Sequence, residues 1–411
     1  MGFVIEQECL QCGAPLTVTE TDRLLECPFC DVKNYLFTPS YFRYILPHKA
    51  PEKEIIYVPY LRFRGSVFFC TETKTGHRII DITQAGSHLK GVPPSLGLRP
   101  QAMKARFATG NASGKYLKFT LKAVDILTKA ARLSSGSNPE EILHRAFIGE
   151  TMSIMYLPVY LEDEKLFDAV LNRPLSEYTG GEEGLEKLMI EKFPKTISFL
   201  PTICPQCGWT LKGAKDSIVL TCDNCSTAWE ARGNKFTQVN IITAENEENG
   251  NKNSVYLPFW KITAETNVVN IRSFADFISI TNQPVVINEK HKSMPMNFWS
   301  PAFKIRPKIF LNLARQFTVM QGEYGENESI PGKGMYPITL PLSEAVQSLK
   351  MILVSSTVTK KNIMPCLPEI NFEIKERSLV YLPFRETQYD MIQDYSGISV
   401  NKQSLEFGRK L

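Results

Sequence analysis

The chain has 411 residues, 43% of them hydrophobic and 22% charged, and a formal net charge of +4. That length predicts two to four domains able to bury real cores. The small charge argues against a dedicated nucleic-acid binder, which carries a strong basic stripe. No run of about 18 apolar residues occurs, so no transmembrane helix is expected. Met1-Gly2-Phe3-Val4-Ile5-Glu6 lacks the basic and apolar regions of a secretion signal. The expectation is a cytoplasmic protein with reduced thiols, where paired cysteines favour metal over disulfides.

Residues 1–40 carry Cys9-Leu10-Gln11-Cys12-Gly13 and Cys27-Pro28-Phe29-Cys30. Between them, Leu16–Thr19, Asp22-Arg23 and Leu24–Glu26 predict strand, turn, strand, and residues 32–37 a third strand. Residues 55–84 are rich in β-branched and aromatic side chains. Residues 86–115, broken by Gly91, Pro93, Pro94, Gly97, Pro100, Gly110 and Gly114, predict an irregular connection. Apolar residues at helical spacing run from Leu117 to Leu133. Asn138-Pro139-Glu140-Glu141 predicts a helix start that Ile142, Ala146 and Phe147 continue. Ile154–Leu161 reads as a strand, and Leu185–Phe193 as a short helix stopped by Pro194.

Residues 196–236 repeat the cysteine device as Cys204-Pro205-Gln206-Cys207-Gly208 and Cys222-Asp223-Asn224-Cys225. Residues 244–253 predict a polar loop, and Val255–Trp260 a strand. Arg306 to Met320 reads as helical, Ser343 as the N-cap of another helix, and 369–383 as a strand.

The two cysteine segments superpose with an offset of 195 residues, which also aligns Gly13 with Gly208, Leu16 with Leu211 and Leu25 with Leu220. Tyr57-Val58-Pro59-Tyr60 matches Tyr256-Leu257-Pro258-Phe259, Met103–Arg106 matches Phe303–Arg306, and Tyr156-Leu157-Pro158-Val159 matches Tyr381-Leu382-Pro383-Phe384. Four matches in one order predict an internal duplication into residues 1–195 and 196–411. The expected fold is α+β, each half a zinc ribbon (1–40 and 196–236) followed by a mixed strand-helix body (41–195 and 237–411).

Each cysteine segment is two C-x2-C pairs with 14 residues between them. The spacing lets both sulfurs of a pair face one point, and two pairs make a tetrahedral set. Gly13 and Gly208 stand where the turn calls for a positive φ, and Asp31 and Ser226 take that place in the other turns. About 30 residues cannot bury enough surface to fold unaided, so bound metal would supply the stability. Cys9, Cys12, Cys27, Cys30, Cys204, Cys207, Cys222 and Cys225 are therefore the candidate ligands of two structural Zn2+ ions. Four thiolates leave no open position for water, which argues against catalytic zinc. Redox C-x2-C chemistry needs a strand-to-helix setting that these pairs lack, and iron in a rubredoxin-like site is the other reading of four cysteines.

The pattern C-x2-C-G-x2-L, a hairpin and C-x2-C resembles the zinc-ribbon superfamily, over about 30 residues in each half. The tandem ribbons with Tyr-Leu-Pro-Phe strands are similar to uncharacterised bacterial proteins of that kind. The resemblance implies fold and metal, and no reaction.

Other motifs yield little chemistry. The Tyr-x-Pro-aromatic strands predict a sheet edge or strand end with the aromatics packed in the core, because proline lacks a ladder donor; an aromatic binding face including Phe63 and Trp260 is the alternative. Gly110–Tyr116 departs from a P-loop in spacing and in Tyr116, where Ser or Thr is needed. His48, His77, His88, His144 and His291 form no ligand pair, and Cys70 reads as a buried small hydrophobe. Cys366 has no base or orienting group to name. Lys304, Arg306 and Lys308 alternate as a strand face would, like Lys104 and Arg106. No catalytic residue or organic cofactor site is assigned. The expected function is a non-enzymatic zinc-binding interaction or scaffold protein of the bacterial cytoplasm, assembling with protein partners. The alternative is nucleic-acid binding through ribbon tips and Lys-x-Arg strands.

Overall fold

The computed structural model describes residues 3–409 apart from 51, 109–113, 136–141, 191–192, 194–196, 245–253, 328–329, 332–333 and 361–362. The glycine-rich stretch from 110, the helix start at 138–141 and the polar loop at 245–253 lie wholly or mostly outside the described residues.

Strands and helices are mixed, as an α+β fold requires. Strands β1 (Val4–Glu8), β2 (Pro15–Thr19), β3 (Leu24–Glu26) and β4 (Lys33–Phe37) carry the first cysteine set, followed by β5 (Phe42–Ile45), β6 (Ile56–Thr71) and β7 (Thr75–Ala85). Helix α1 (Arg99–Ala102), β8 (Lys104–Phe107), β9 (Lys115–Tyr116) and α2 (Ala123–Ser135) precede the long β10 (Ile142–Glu162). Strands β11 (Lys165–Asp168) and β12 (Arg173–Glu177) and helix α3 (Gly181–Glu186) follow it. The second set sits among β13 (Ser198–Pro201), β14 (Val219–Cys222), β15 (Thr227–Arg232) and β16 (Lys235–Val239). Next come β17 (Ile241–Ala244), β18 (Ser254–Thr266), α4 (Phe274–Thr281), α5 (Glu289–Ser293), β19 (Asn297–Pro301) and α6 (Pro307–Met320). The chain ends with β20 (Glu326–Asn327), α7 (Leu342–Gln347), α8 (Leu349–Ser356), β21 (Phe372–Glu386), β22 (Asp390–Ile392), β23 (Ser399–Asn401) and α9 (Lys402–Gly408).

Each body is built on one antiparallel pair, and the Tyr-x-Pro segments form it. Tyr57, Val58 and Pro59 of β6 face Pro158, Leu157 and Tyr156 of β10. Tyr256, Leu257 and Pro258 of β18 face Pro383, Leu382 and Tyr381 of β21, in the same register. The strand after each cysteine set lies parallel to the second member of the pair: β5 places Ile45 opposite Tyr156, and β17 places Thr243 opposite Tyr381.

The prolines were expected at a sheet edge or strand end, but they lie within long paired strands inside the sheets. On the flank of β6 away from β10, the neighbour changes at Pro59 from β7, whose pairing ends at Tyr60–Ala85, to β9, paired at Ile56 and Tyr57. Pro258 lies between β19, whose pairing ends at Phe259–Pro301, and the bridge from Tyr256 to Met335. Pro158 lies between β5 and β11, and Pro383 between β17 and β22. A missing N–H costs nothing where one neighbour stops and the next begins. The proline carbonyls stay in use: Pro59 accepts from Gly86 N–H at 2.8 Å and Pro258 from Ala302 N–H at 2.9 Å. Phe63 and Trp260 are buried, the latter donating its indole N–H to the Leu340 carbonyl at 3.0 Å, so these strands present core rather than a binding face.

Glycine marks the same place in both bodies. Gly114 (φ +132°) and Gly334 (φ +75°) pass so close to β6 and β18 that a Cβ would stand 2.8 Å from the Ile55 carbonyl oxygen and 2.6 Å from that of Ser254. The match of Met103–Arg106 with Phe303–Arg306 has no such counterpart. Lys104 and Arg106 do show one exposed face on β8, where both approach Glu6, at 3.0 and 4.0 Å. Pro307 instead opens α6, so Lys304, Arg306 and Lys308 do not share a strand face.

Other expectations shift for tertiary reasons. Ile142, Ala146 and Phe147 belong to β10, not to a helix, because β6 offers them a ladder. The helix expected over Leu117–Leu133 starts at Ala123, since Tyr116 pairs with Tyr57 and Leu117 bridges to Met189. Helix α3 ends at Glu186, before most of the stretch expected to be helical. Pro341 precedes α7, leaving Ser343 inside the helix instead of capping it.

The outer half of β6 and β10 crosses into the second body. Phe68 lies 5.9 Å from Phe310 in one shared core, and Cys70 Sγ contacts Met351 Sδ at 3.4 Å. Burial pushes the Cys70 thiol up to about 12, which fits a packing role. Lys304 turns into this seam and donates to Thr151 Oγ1 at 3.1 Å, while Glu344 of α7 accepts the Gly149 N–H. Burial lowers Lys304 to about 8 against the pull of Glu344, and raises Glu344 to about 7 against that of Lys304.

The first cysteine segment is pinned to its body by charge. Glu20, just after β2 and 1% exposed, accepts from Arg62 and from Arg64 (2.8 Å) on β6; Arg62 also pairs with Asp81 at 2.7 Å. Removing one member of such a buried network leaves charge without compensation. Glu20→Gln should therefore lower unfolding free energy in urea by about 3 kcal/mol, and a loss below about 1 kcal/mol would assign the network little weight.

Candidate metal centres

Four turns build the two cysteine clusters. In the first, the Cys9 N–H donates to the Ala14 carbonyl at 2.8 Å and the Gly13 N–H to the Cys9 carbonyl at 2.9 Å. Cys204 donates to Trp209 and accepts from Gly208 in the same way, at 2.7 and 2.9 Å. The expected left-handed residues are all present: Gly13 (φ +71°), Asp31 (+57°), Gly208 (+74°) and Ser226 (+51°).

The strands around the first cluster differ from expectation. β2 does not pair with β3: β1 pairs with β2 and β3 with β4. Each C-x2-C turn therefore closes its own hairpin. The stretch between them turns away because Asp22 Oδ2 accepts the Thr19 N–H, while the Arg23 and Leu24 N–H groups donate to the Lys215 carbonyl. β1 continues into the body sheet beside β8, and β4 pairs with β13, the lead-in to the second cluster. The two cysteine segments share a small core of Leu24, Tyr35, Leu200, Leu211, Leu220 and Trp229.

The sulfurs converge. In each set all four lie within 4.8 Å of one another. Cys9–Cys30 and Cys12–Cys27 approach to 3.7 and 3.6 Å, and Cys204–Cys225 and Cys207–Cys222 to 3.6 and 3.4 Å. A disulfide needs about 2.05 Å. Four sulfurs about 2.3 Å from one zinc ion stand about 3.8 Å apart at the edges of a tetrahedron, so the donor set fits that ion.

Electrostatics agree. The Cys12 and Gln11 amides hold the Cys9 thiol down to about 6. At Cys204 burial works against ionisation, yet the Cys207 and Gln206 amides with Cys225 and Thr227 bring it to about 6 as well. Cys30 and Cys225 go the other way, to about 12: the Val32 amide and the Thr227 side chain respectively favour their thiolates, but burial and the neighbouring thiols prevail. Four thiolates at one point need a cation.

The knuckles also display apolar side chains. Leu10 and Phe29 at the first cluster are 60% and 71% exposed, and Trp209 at the second is 57% exposed. The second cluster has features that spacing does not reveal. Thr227 Oγ1 lies 3.0 Å from Cys225 Sγ and accepts the Trp229 indole N–H at 2.8 Å. Their signal was a hydroxyl and an indole two residues apart, just past the last cysteine.

Compared with known families, with curated proteins and with solved structures, the chain has no match. No helix among the described residues is long and apolar enough to cross a membrane.

Two outcomes follow from this geometry. A Cβ at Gly13 or Gly208 meets nothing within 4 Å, so only the positive φ resists substitution. Gly13→Ala and Gly208→Ala should each cost about 1–2 kcal/mol in denaturant unfolding, and asparagine less. Metal retention should fall as pH falls, because protons compete for the thiolates; retention unchanged from about pH 8 to 5 would count against thiolate ligation.

Proposed function

We propose that each cluster holds one structural zinc ion and that the chain is a non-enzymatic interaction protein, docking protein partners through its knuckles. The observation that carries this reading is the pairing of two closed four-sulfur sets with exposed Leu10, Phe29 and Trp209 on the same turns. A closed thiolate set holds shape and leaves no position for substrate. Exposed aromatic side chains on a rigid turn are the kind of anchor that protein interfaces use. Reduced thiols suit a cytoplasmic setting.

We also infer that the chain arose by duplication of a unit comprising a ribbon and a body, with the boundaries 1–40, 41–195, 196–236 and 237–411. The common register of the two Tyr-x-Pro pairs supports it. Nucleic-acid binding is the weaker reading. Lys104 and Arg106 approach Glu6, and Lys304 faces inward, so the Lys-x-Arg segments do not form a shared basic surface.

Purification without chelator should give about two zinc ions per chain by elemental analysis. Affinity purification from the native host should then capture a protein that the double variant Phe29→Ser, Trp209→Ser loses while keeping its zinc. Capture that is indifferent to both substitutions would move the docking surface elsewhere. Salt-sensitive binding of DNA or RNA would favour the nucleic-acid reading.

A further inference from the structure

The two clusters have the same arrangement of sulfurs and the same order of burial, with Cys9, Cys27, Cys204 and Cys222 buried and Cys12 and Cys207 exposed. They differ in what touches the sulfurs. The register makes the comparison residue by residue: Leu25 pairs with Asn34 in the first hairpin as Leu220 pairs with Trp229 in the second. By the same offset Val32 occupies the place of Thr227.

At the second cluster the direction of hydrogen bonding is set by chemistry. An indole N–H can only donate. Thr227 Oγ1 must therefore accept from Trp229, at 2.8 Å, and when Cys225 is a thiolate only the Thr227 O–H can supply the hydrogen for the 3.0 Å contact with its Sγ. Cys204 Sγ lies 3.8 Å from the same hydroxyl. At the first cluster the corresponding side chain, Val32, has no hydrogen to offer.

We infer that the two metal sites are unequal by construction: Thr227, held by Trp229, makes the Cys204–Cys225 site the tightly held one, and the Cys9–Cys30 site is the one that yields its metal. Groups that hydrogen-bond to metal ligands fix the ligand's orientation and stabilise its coordinating form, and losing one typically costs about 10–100-fold in affinity. Thr227 is a positioning residue here; it holds the Cys225 sulfur and does not bind metal. The inference rests on the zinc reading.

The test uses the full chain loaded with Zn2+. A chromophoric chelator competes for the metal, and N-ethylmaleimide with peptide mapping shows which cysteines are freed. The expected result is release in two steps. The first step should free Cys9, Cys12, Cys27 and Cys30. The second should require about 10–100-fold more chelator. Thr227→Val should draw the two steps together. Val32→Thr should raise the chelator needed for the first step, a gain that misfolding cannot imitate. Release in one step, release from the second site first, or a first step unmoved by the gain variant would overturn the inference while leaving zinc binding intact. A chain that purifies with no zinc and takes up none would overturn the zinc reading and this inference together.

Discussion

Proline has no N–H to give, and the architecture turns on where that deficiency is placed. Pro59, Pro158, Pro258 and Pro383 each stand on a long strand at the point where one neighbouring strand ends and another begins. A continuous neighbour would need the missing donor. Two successive short neighbours do not. The paired strands β6/β10 and β18/β21 can thus act as spines, each flanked by more elements than a simple ladder would admit. The same junction admits the strand that arrives from the cysteine segment, β5 or β17, which lies parallel to the second strand of the spine.

The cysteine segments are consequently built into the molecule instead of projecting from it. Each C-x2-C turn of the first cluster closes a hairpin, and the two hairpins belong to different sheets. β1 and β2 join the first body, while β3 and β4 join β13 of the second segment. Four sulfurs in one cluster therefore tie two sheets together. The buried Glu20–Arg62–Arg64 group adds a tie by charge within the first body's own sheet, from the end of β2 to β6. In the proposed reading zinc is a joint, and its loss would be felt by the sheets as well as by the knuckle.

The halves are unequal despite their shared spines. The outer part of β6 and β10 lends Phe68 and Ile148 to the second body's core, where Phe310 and Met351 receive them. Seam residues such as Lys304 and Glu344 are set by that crossing. Reading Lys304-Ile305-Arg306 as a copy of Lys104-Ala105-Arg106 misplaced it for this reason. The local letters match, yet Pro307 starts a helix and the lysine packs inward.

The sequence alone determined the cysteine sets, their positive-φ residues and the Tyr-x-Pro segments, because each depends on short-range geometry: two sulfurs per turn, a left-handed residue after the second cysteine, a missing donor at proline. The repeated letters also pointed to the two Tyr-x-Pro pairs that share one register. Only the tertiary structure decided which strands pair. Ile142–Phe147 became strand because β6 lay alongside, and β2 parted from β3 because Lys215 and Asp22 took their backbone partners. The prolines sit inside the sheets because the neighbours that start and stop beside them come from distant parts of the chain. Hydrogen bonds between strands are non-local, and a sequence read in windows shows the donor that is missing without showing who would have accepted from it.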